Sequence, residues 1–350
     1  MRKIDEYLSN KLANMSFVCS ILIVCIHTTI ECEDTGSFLW VFKNYFTLGG
    51  IVSIAVPFFF IASGFFLVGH MDEKGWYKDA VIKRMKTLGI PYAFWNIFYF
   101  VFTLSLIVVG AKINIPFGDI NKYQMTPVRI VEIFGLNPFV TPELPFLWYV
   151  RALIIFVVIS PLIKCMAKCG VVLFFVLYFL TDVVCDLSIA SSKILHWFIS
   201  LRGLAYFSLG IYLRNNPIRK LRGSSMLLII GTVVYLLGLW LSIELSGILS
   251  RALMWGGTPI MLLSVWTKIS EKKWPIFLTR CSFAIFLMQS ALITLLIGVL
   301  RVCSLKEWGY TTISGYFLRL LLVVSVAIVL SNFLFKFLPR LSRLMFGGRG

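Results

Sequence analysis

The sequence predicts an all-α protein: a polytopic membrane helix bundle of about ten transmembrane helices, with N- and C-termini cytoplasmic. Three observations carry that expectation. Hydrophobic residues make up 59% of the 350-residue chain and charged residues only 14%, more apolar surface than one soluble core can hide. Several apolar runs approach the length of roughly 20 residues that crosses a bilayer. The basic residues, finally, divide unequally between alternate loops.

The apolar segments fall near 15–31, 50–69, 88–111, 148–164, 171–186, 198–213, 226–246, 249–267, 281–300 and 316–338. Each must be helical, because lipid offers no partner to an open backbone. The first is followed by no small-residue cleavage site, so it reads as a span rather than a removable signal. With the N-terminus placed inside, the inner loops carry 22 Lys and Arg and the outer loops 8. Arg151, Arg202 and Arg319 remain within spans. An even number of crossings returns the C-terminus to the side where the chain began. The long loop 112–147 falls outside and carries Pro116, Pro127, Pro138, Pro142 and Pro145; loops of that length are often functional. Neither an internal repeat nor a Gly- or Ser-rich linker divides the chain. A single domain over 1–350 is expected, with its core at about 10–340. The closing "FGGRG" reads as a frayed tail.

A net charge of +17 would raise nucleic acid as a partner of a soluble protein. Here the positive charge lies mostly in loops, where it sets topology and meets lipid headgroups. Membrane lipid is therefore an expected partner and nucleic acid is not. The eight cysteines (Cys19, Cys25, Cys32, Cys165, Cys169, Cys185, Cys281 and Cys303) form no CxxC pair and no metal-ligand spacing with histidine. They read as small buried residues, and no metal is expected.

Polar residues inside apolar helices carry the functional reading. His27 ends the apolar stretch "CSILIVCIH". It either hydrogen-bonds across helices or serves as a general base. Glu31 follows at i+4, one turn outward if the helix continues. It is either a solvated interface residue or the carboxylate that orients the imidazole. Arg151 and Arg202 each lie about one turn into a descending helix, at the depth of His27. They either snorkel or face an internal cavity, where a buried charge is tolerated and can stabilise an oxyanion. Arg319 is assigned to snorkelling. In "VIKRMKTLGIPY", Lys83, Arg84 and Lys86 either anchor the helix on the inner side or bind a phosphorylated ligand. Ser63-Gly64 in "AVPFFFIASGFFL" allows close helix packing or the entry of a ligand chain.

Together these residues resemble the acyltransferase 3 family of integral membrane acyltransferases. The order of motifs carries the resemblance: His27, "VPFFFIASGFF" at 56–66, the basic run leading into "PY" at 91–92, "LWYVRALIIFVVISPLI" at 147–163, "YFSLGIYL" at 206–213 and "SFAIFLMQ" at 282–289. It extends over about 10–340 and is similar to the branch that modifies bacterial surface polysaccharides. The resemblance implies O-acyl transfer from acetyl-CoA, or another short acyl-CoA, to a glycan hydroxyl outside the cell. Capsule, O-antigen, exopolysaccharide or a lipid-linked oligosaccharide would be the acceptor, and the bacterial cytoplasmic membrane the location. It implies His27 as base or transient acyl carrier, Lys83, Arg84 and Lys86 on the CoA side with Ser63 along the arm, and Trp148 with Arg151 in the "LWYVR" motif. Trp148 and Gln289, which closes the last motif, are the residues expected to bind substrate. Ser16, Phe146 and Gln289 stand where many members carry arginine, histidine and histidine. A transporter of lipid-linked saccharide, a catalytically degenerate component of a surface-polysaccharide assembly, and a sensor or scaffold are the alternatives. A transporter would be expected to show alternating-access repeats.

Overall fold

The computed structural model describes residues 6–47, 50–67, 74–112, 126–137, 142–166, 172–177, 180, 200–216, 225–244 and 248–348. Among these the chain is helical, with no strand. The helices are α1 Glu6–His27, α2 Phe38–Val41, α3 Ala55–Leu67, α4 Trp76–Arg84, α5 Ile90–Lys112, α6 Pro127–Ile133, α7 Trp148–Val158 and α8 Ser160–Met166, then α9 Leu201–Asn215, α10 Ser225–Glu244, α11 Ile248–Lys268, α12 Ile276–Thr279, α13 Ser282–Val302, α14 Lys306–Thr311, α15 Ile313–Phe337 and α16 Pro339–Phe346. Among the described residues five stretches are long and apolar enough to cross a bilayer: Glu6–His27, Phe38–Leu67, Trp76–Lys112, Ser282–Val302 and Ile313–Phe337. The chain is an all-α, multi-pass membrane helix bundle. Of the fifth expected segment, 171–186, residues 172–177 and 180 are described and helical; the rest lies outside the described residues, as do Cys169 and Cys185 and much of the 112–147 loop.

Three boundaries differ from the sequence expectation. Helix α1 begins at Glu6 rather than near 15. Lys11 is buried with its Nζ over the rings of Trp266 and Tyr7, and Asn14 Nδ2 donates to the carbonyls of Ser270 and Lys272. Polar residues with distant partners are thus drawn into the first helix. The fourth segment breaks at Ile159, between α7 and α8. Pro161 has no N–H to donate, so the helix loses a backbone hydrogen bond at this turn and restarts at Ser160. The "FGGRG" end is not frayed as far as it is described. Phe346 is fully buried, Trp95 Nε1 donates to the Met345 carbonyl at 2.9 Å, and Gly347 ends α16 with a φ of 66°. A side chain on Gly347 would meet the Thr87 carbonyl at 2.2 Å.

Glycine sets how closely two helices pair. A Cβ on Gly64 of α3 would stand 2.0 Å from the Phe207 carbonyl oxygen of α9, and a Cβ on Gly210 of α9 the same distance from that of Ile61. The two helices therefore meet backbone to backbone, as small residues permit within membranes. This decides the packing half of the Ser63-Gly64 reading. Helices α10 and α11 form a hairpin through Gly238 in the same way. The main core gathers Met15, Phe60, Trp95, Phe156, Tyr206 and Phe346. A second cluster joins Phe17 and Val24 of α1 to Ile285 of α13 and Val323 of α15. Outside these cores, α5 and α15 present apolar residues such as Val101, Val109, Leu321 and Val329 to the surroundings, as a lipid-facing surface requires.

Candidate active site

A cavity of about 840 Å³ opens between α1, α3, α4, α7 and the start of α13. Ala13 and Ser16 come from α1, Ser63 and Phe66 from α3, Lys83 and Arg84 from α4, Tyr149 and Leu153 from α7. Arg280, Ser282, Phe283 and Phe286 also line it, as do Trp76 and the carboxylate-bearing Asp79 of α4. The cavity has a basic end and an aromatic end. Lys83 is exposed and Arg84 half-buried at the last turn of α4. Lys86 sits inside the wider π turn Met85–Gly89, is exposed, and does not line the cavity. The structure thus brings two of the three expected cations to one space together with Ser63. Ser63 Oγ lies 3.4 Å from the Tyr149 hydroxyl. Trp148 packs outside the cavity on Phe60, with ring centroids 6.0 Å apart.

The aromatic end separates this cavity from His27. Phe286 lines the cavity and touches Tyr149 at 5.8 Å and Phe146 at 5.1 Å between ring centroids. Phe146 in turn meets the His27 ring at 5.7 Å. One layer of rings therefore stands between the cavity and the histidine. His27 makes no hydrogen bond to a described residue, and as a residue it is partly open to the surroundings at the end of α1.

The turn that carries His27 is held from its far side. Arg319 is buried rather than snorkelling, because its partners are protein: Nη2 donates to the Thr29 carbonyl at 2.6 Å, and the guanidinium stacks on Tyr310 at 3.9 Å. The Tyr316 hydroxyl donates to the Cys25 carbonyl at 3.3 Å. Helix α1 stops at His27, so Glu31 does not share a helix face with it. The Glu31 N–H instead donates to the Tyr310 carbonyl at 2.9 Å, and its side chain is exposed. Arg151 is buried in α7 and donates from Nη1 to the Gly135 carbonyl at 2.5 Å. With Tyr92, whose hydroxyl donates to the Phe134 carbonyl at 2.6 Å, it ties the described part of the 112–147 loop to the bundle. Arg202 lies half-buried in the first turn of α9, after the Ser200 cap. Gln289 is fully buried in α13.

Three residues of this region escaped the sequence reading. Arg280, just before the apolar segment 281–300, lines the cavity; its Nε and Nη2 both donate to Asn332 Oδ1 and its guanidinium covers Phe335. Tyr149 and Phe286 looked like ordinary span residues. Their signal was position: Tyr149 lies between Trp148 and Arg151, Arg280 stands two residues before "SFAIF" and Phe286 ends it, and each motif reaches the same space. Among the described residues no group of His, Cys, Asp and Glu converges as a metal site would.

No curated protein and no solved structure matches the chain. A family model described as an acyltransferase domain matches residues 14–332, a range that contains His27, the aromatic layer and the cavity lining apart from Ala13. On that match over nearly its whole length, the chain belongs to the acyltransferase 3 family of membrane acyltransferases.

Proposed function

We propose that this chain is an O-acyltransferase that moves an acetyl or other short acyl group from cytosolic acyl-CoA to a hydroxyl of a glycan outside the cytoplasmic membrane. One observation carries the reading: a cavity whose lining holds three cations, Lys83, Arg84 and Arg280, against one carboxylate, Asp79, is also lined by Phe286, which with Phe146 forms the aromatic layer behind which His27 sits. Three cations suit the phosphates of CoA, since charge-assisted hydrogen bonds are the strong ones. The basic end faces the cytoplasm in this reading, as the inner-loop charge bias implies. The largely apolar lining around Ser63 (Phe59, Ala62, Phe66 and Leu153) suits a pantetheine arm better than a sugar.

At the far end the acceptor hydroxyl approaches His27. The imidazole takes its proton as the oxygen bonds to the thioester carbonyl carbon. The C–S bond then breaks with its electron pair on sulfur, and the imidazolium returns the proton to the CoA thiolate. Arg319, Tyr316 and Tyr310 hold the turn that aims His27. In this geometry Arg151 and Arg202 position loop and helix ends, and Glu31 remains at the rim. The phenyl layer must open for the acyl group to reach His27, because Phe146 and Phe286 now fill the gap. The bacterial envelope is the setting, with capsule, O-antigen or exopolysaccharide as the acceptor class.

The test is expression of wild type and His27→Ala in a host that lacks the gene, with O-acetyl ester on the surface polysaccharide measured by NMR. Ester in the wild type and none in the variant, at equal protein level and equal glycan, is the expected result. Glycan export without ester in the wild type would instead make the chain a transporter.

A further inference from the structure

Gln289 is a buried amide without a partner. It is fully buried near the middle of α13, and neither Nε2 nor Oε1 has a hydrogen-bond partner among the described residues. Buried side-chain amides are nearly always paired, and an orphan costs stability. A native protein that keeps one has a use for it.

Helix register places Gln289 just beyond the cavity lining, of which it is not itself part. Ser282, Phe286 and Gln289 fall at i, i+4 and i+7, on one face of α13. The first two line the cavity. Gln289 stands three residues beyond Phe286, about 4.5 Å further along the axis. Helix α1 runs the same way beside it: Ser16 lines the cavity with Ser282, and further on Val24 shares a buried cluster with Ile285. One turn past Val24 is His27, and one turn past Ile285 is Gln289. Phe146 touches both the His27 ring and the Phe286 ring, and Gln289 lies one turn beyond Phe286, so a single phenyl layer links the imidazole to the stretch of α13 that carries the amide.

Resting on the acyl-transfer reading, we propose that Gln289 is the residue that hydrogen-bonds the reacting acyl group. Nε2 donates to the acyl carbonyl oxygen, and Oε1 accepts from the incoming hydroxyl. Two unpaired atoms side by side ask for a ligand that offers an acceptor and a donor together. A carbonyl under attack by a hydroxyl offers both. As the new C–O bond forms, negative charge grows on the carbonyl oxygen and the Nε2 hydrogen bond strengthens. The C–S bond then breaks toward sulfur, and His27 carries the hydroxyl proton to the departing thiolate. Such a donor acts most strongly where water is excluded.

The experiment compares wild type, Gln289→Met and Gln289→Asn in membrane vesicles that carry the host glycan, supplied with radiolabelled acetyl-CoA. Melting of the purified full chains is measured in parallel. Methionine keeps the volume and removes both polar atoms. The expected result is a melting temperature equal to or above wild type, a kcat at least about 100-fold lower, and a KM for acetyl-CoA within twofold. Asparagine keeps the amide but shortens its reach, and falls between the two. Transfer by Gln289→Met within threefold of wild type overturns the proposal. So does a lowered melting temperature or failure to fold, because that gives the amide a structural task. Absence of transfer by the wild type is a separate result, which removes the acyl-transfer reading itself.

Discussion

The two ends of the column from Arg84 to His27 are built by different means. At the basic end, charged side chains surround empty space, and the wall is assembled from five separate segments. At the His27 end there is little space, and neighbours grip the backbone: Arg319 the Thr29 carbonyl, Tyr316 the Cys25 carbonyl, and Tyr310 the Glu31 N–H. The first construction suits a large, mobile, anionic ligand, which side-chain charge can follow. The second suits one side chain that must not move. Changes at the two ends should therefore separate cleanly, in binding at one and in turnover at the other.

The largest effect belongs to His27. Replacement by alanine removes the base and leaves the cavity residues in place. Ester formation should fall about 10²- to 10⁴-fold, while acetyl-CoA binding, read by calorimetry on purified protein, stays within about twofold. Equal loss of both would show that the two ends are one unit. Next in size is Arg319. Arg319→Met keeps the apolar stem and releases the turn after His27. A misplacement of about 1 Å can cost about 100-fold, so a kcat drop of ten- to 100-fold with unchanged KM for the donor is expected. Steady-state kinetics that put the loss in KM would break the comparison.

The column was half legible in the sequence. His27, Ser63, Lys83 and Arg84 could be found because histidine, small-residue and basic motifs stand out against apolar helices. The residues between them could not. Tyr149, Phe146 and Phe286 are aromatic residues in apolar runs, and nothing local distinguishes a ring that bounds a cavity from one in the core. Arg319 was misread for a related reason: hydropathy places an arginine near a helix end, but only a distant carbonyl on Thr29 tells whether it turns inward. Glu31 failed on a boundary, since the i+4 argument needs a helix that in fact stops at His27. Lys11 and Asn14 shifted the start of α1 through partners more than 250 residues away.

At the basic end the effects should be smaller and fall on KM. Arg84→Gln removes one charged contact to a phosphate, which at about 1.5–3 kcal/mol corresponds to at least a tenfold rise in KM for acetyl-CoA. Lys86→Gln, its neighbour in sequence but outside the cavity wall, should stay within about twofold. Equal effects in the two variants would mean that the run acts as a diffuse positive patch, and that the π turn at Met85–Gly89 sorts nothing.

The smallest effect tests the loop that Arg151 anchors. Glu143 follows the described stretch 126–137, donates its N–H to the Ile133 carbonyl, and pairs with Arg129 at 2.6 Å. Burial pushes its carboxyl above the ordinary value near 4.5, and Arg129 only partly offsets this. A carboxyl raised in the folded chain contributes stability below the ordinary value and loses it as pH rises through the raised one. The wild type should therefore melt slightly lower as pH climbs from acid toward neutral, by no more than a few degrees. Glu143→Gln, which cannot ionise, should flatten that slope. A wild-type melting temperature that rises over the same interval would mean that the Arg129 pair outweighs burial. The loop would then be held by charge, like the basic end of the column, rather than by the backbone contacts that fix His27.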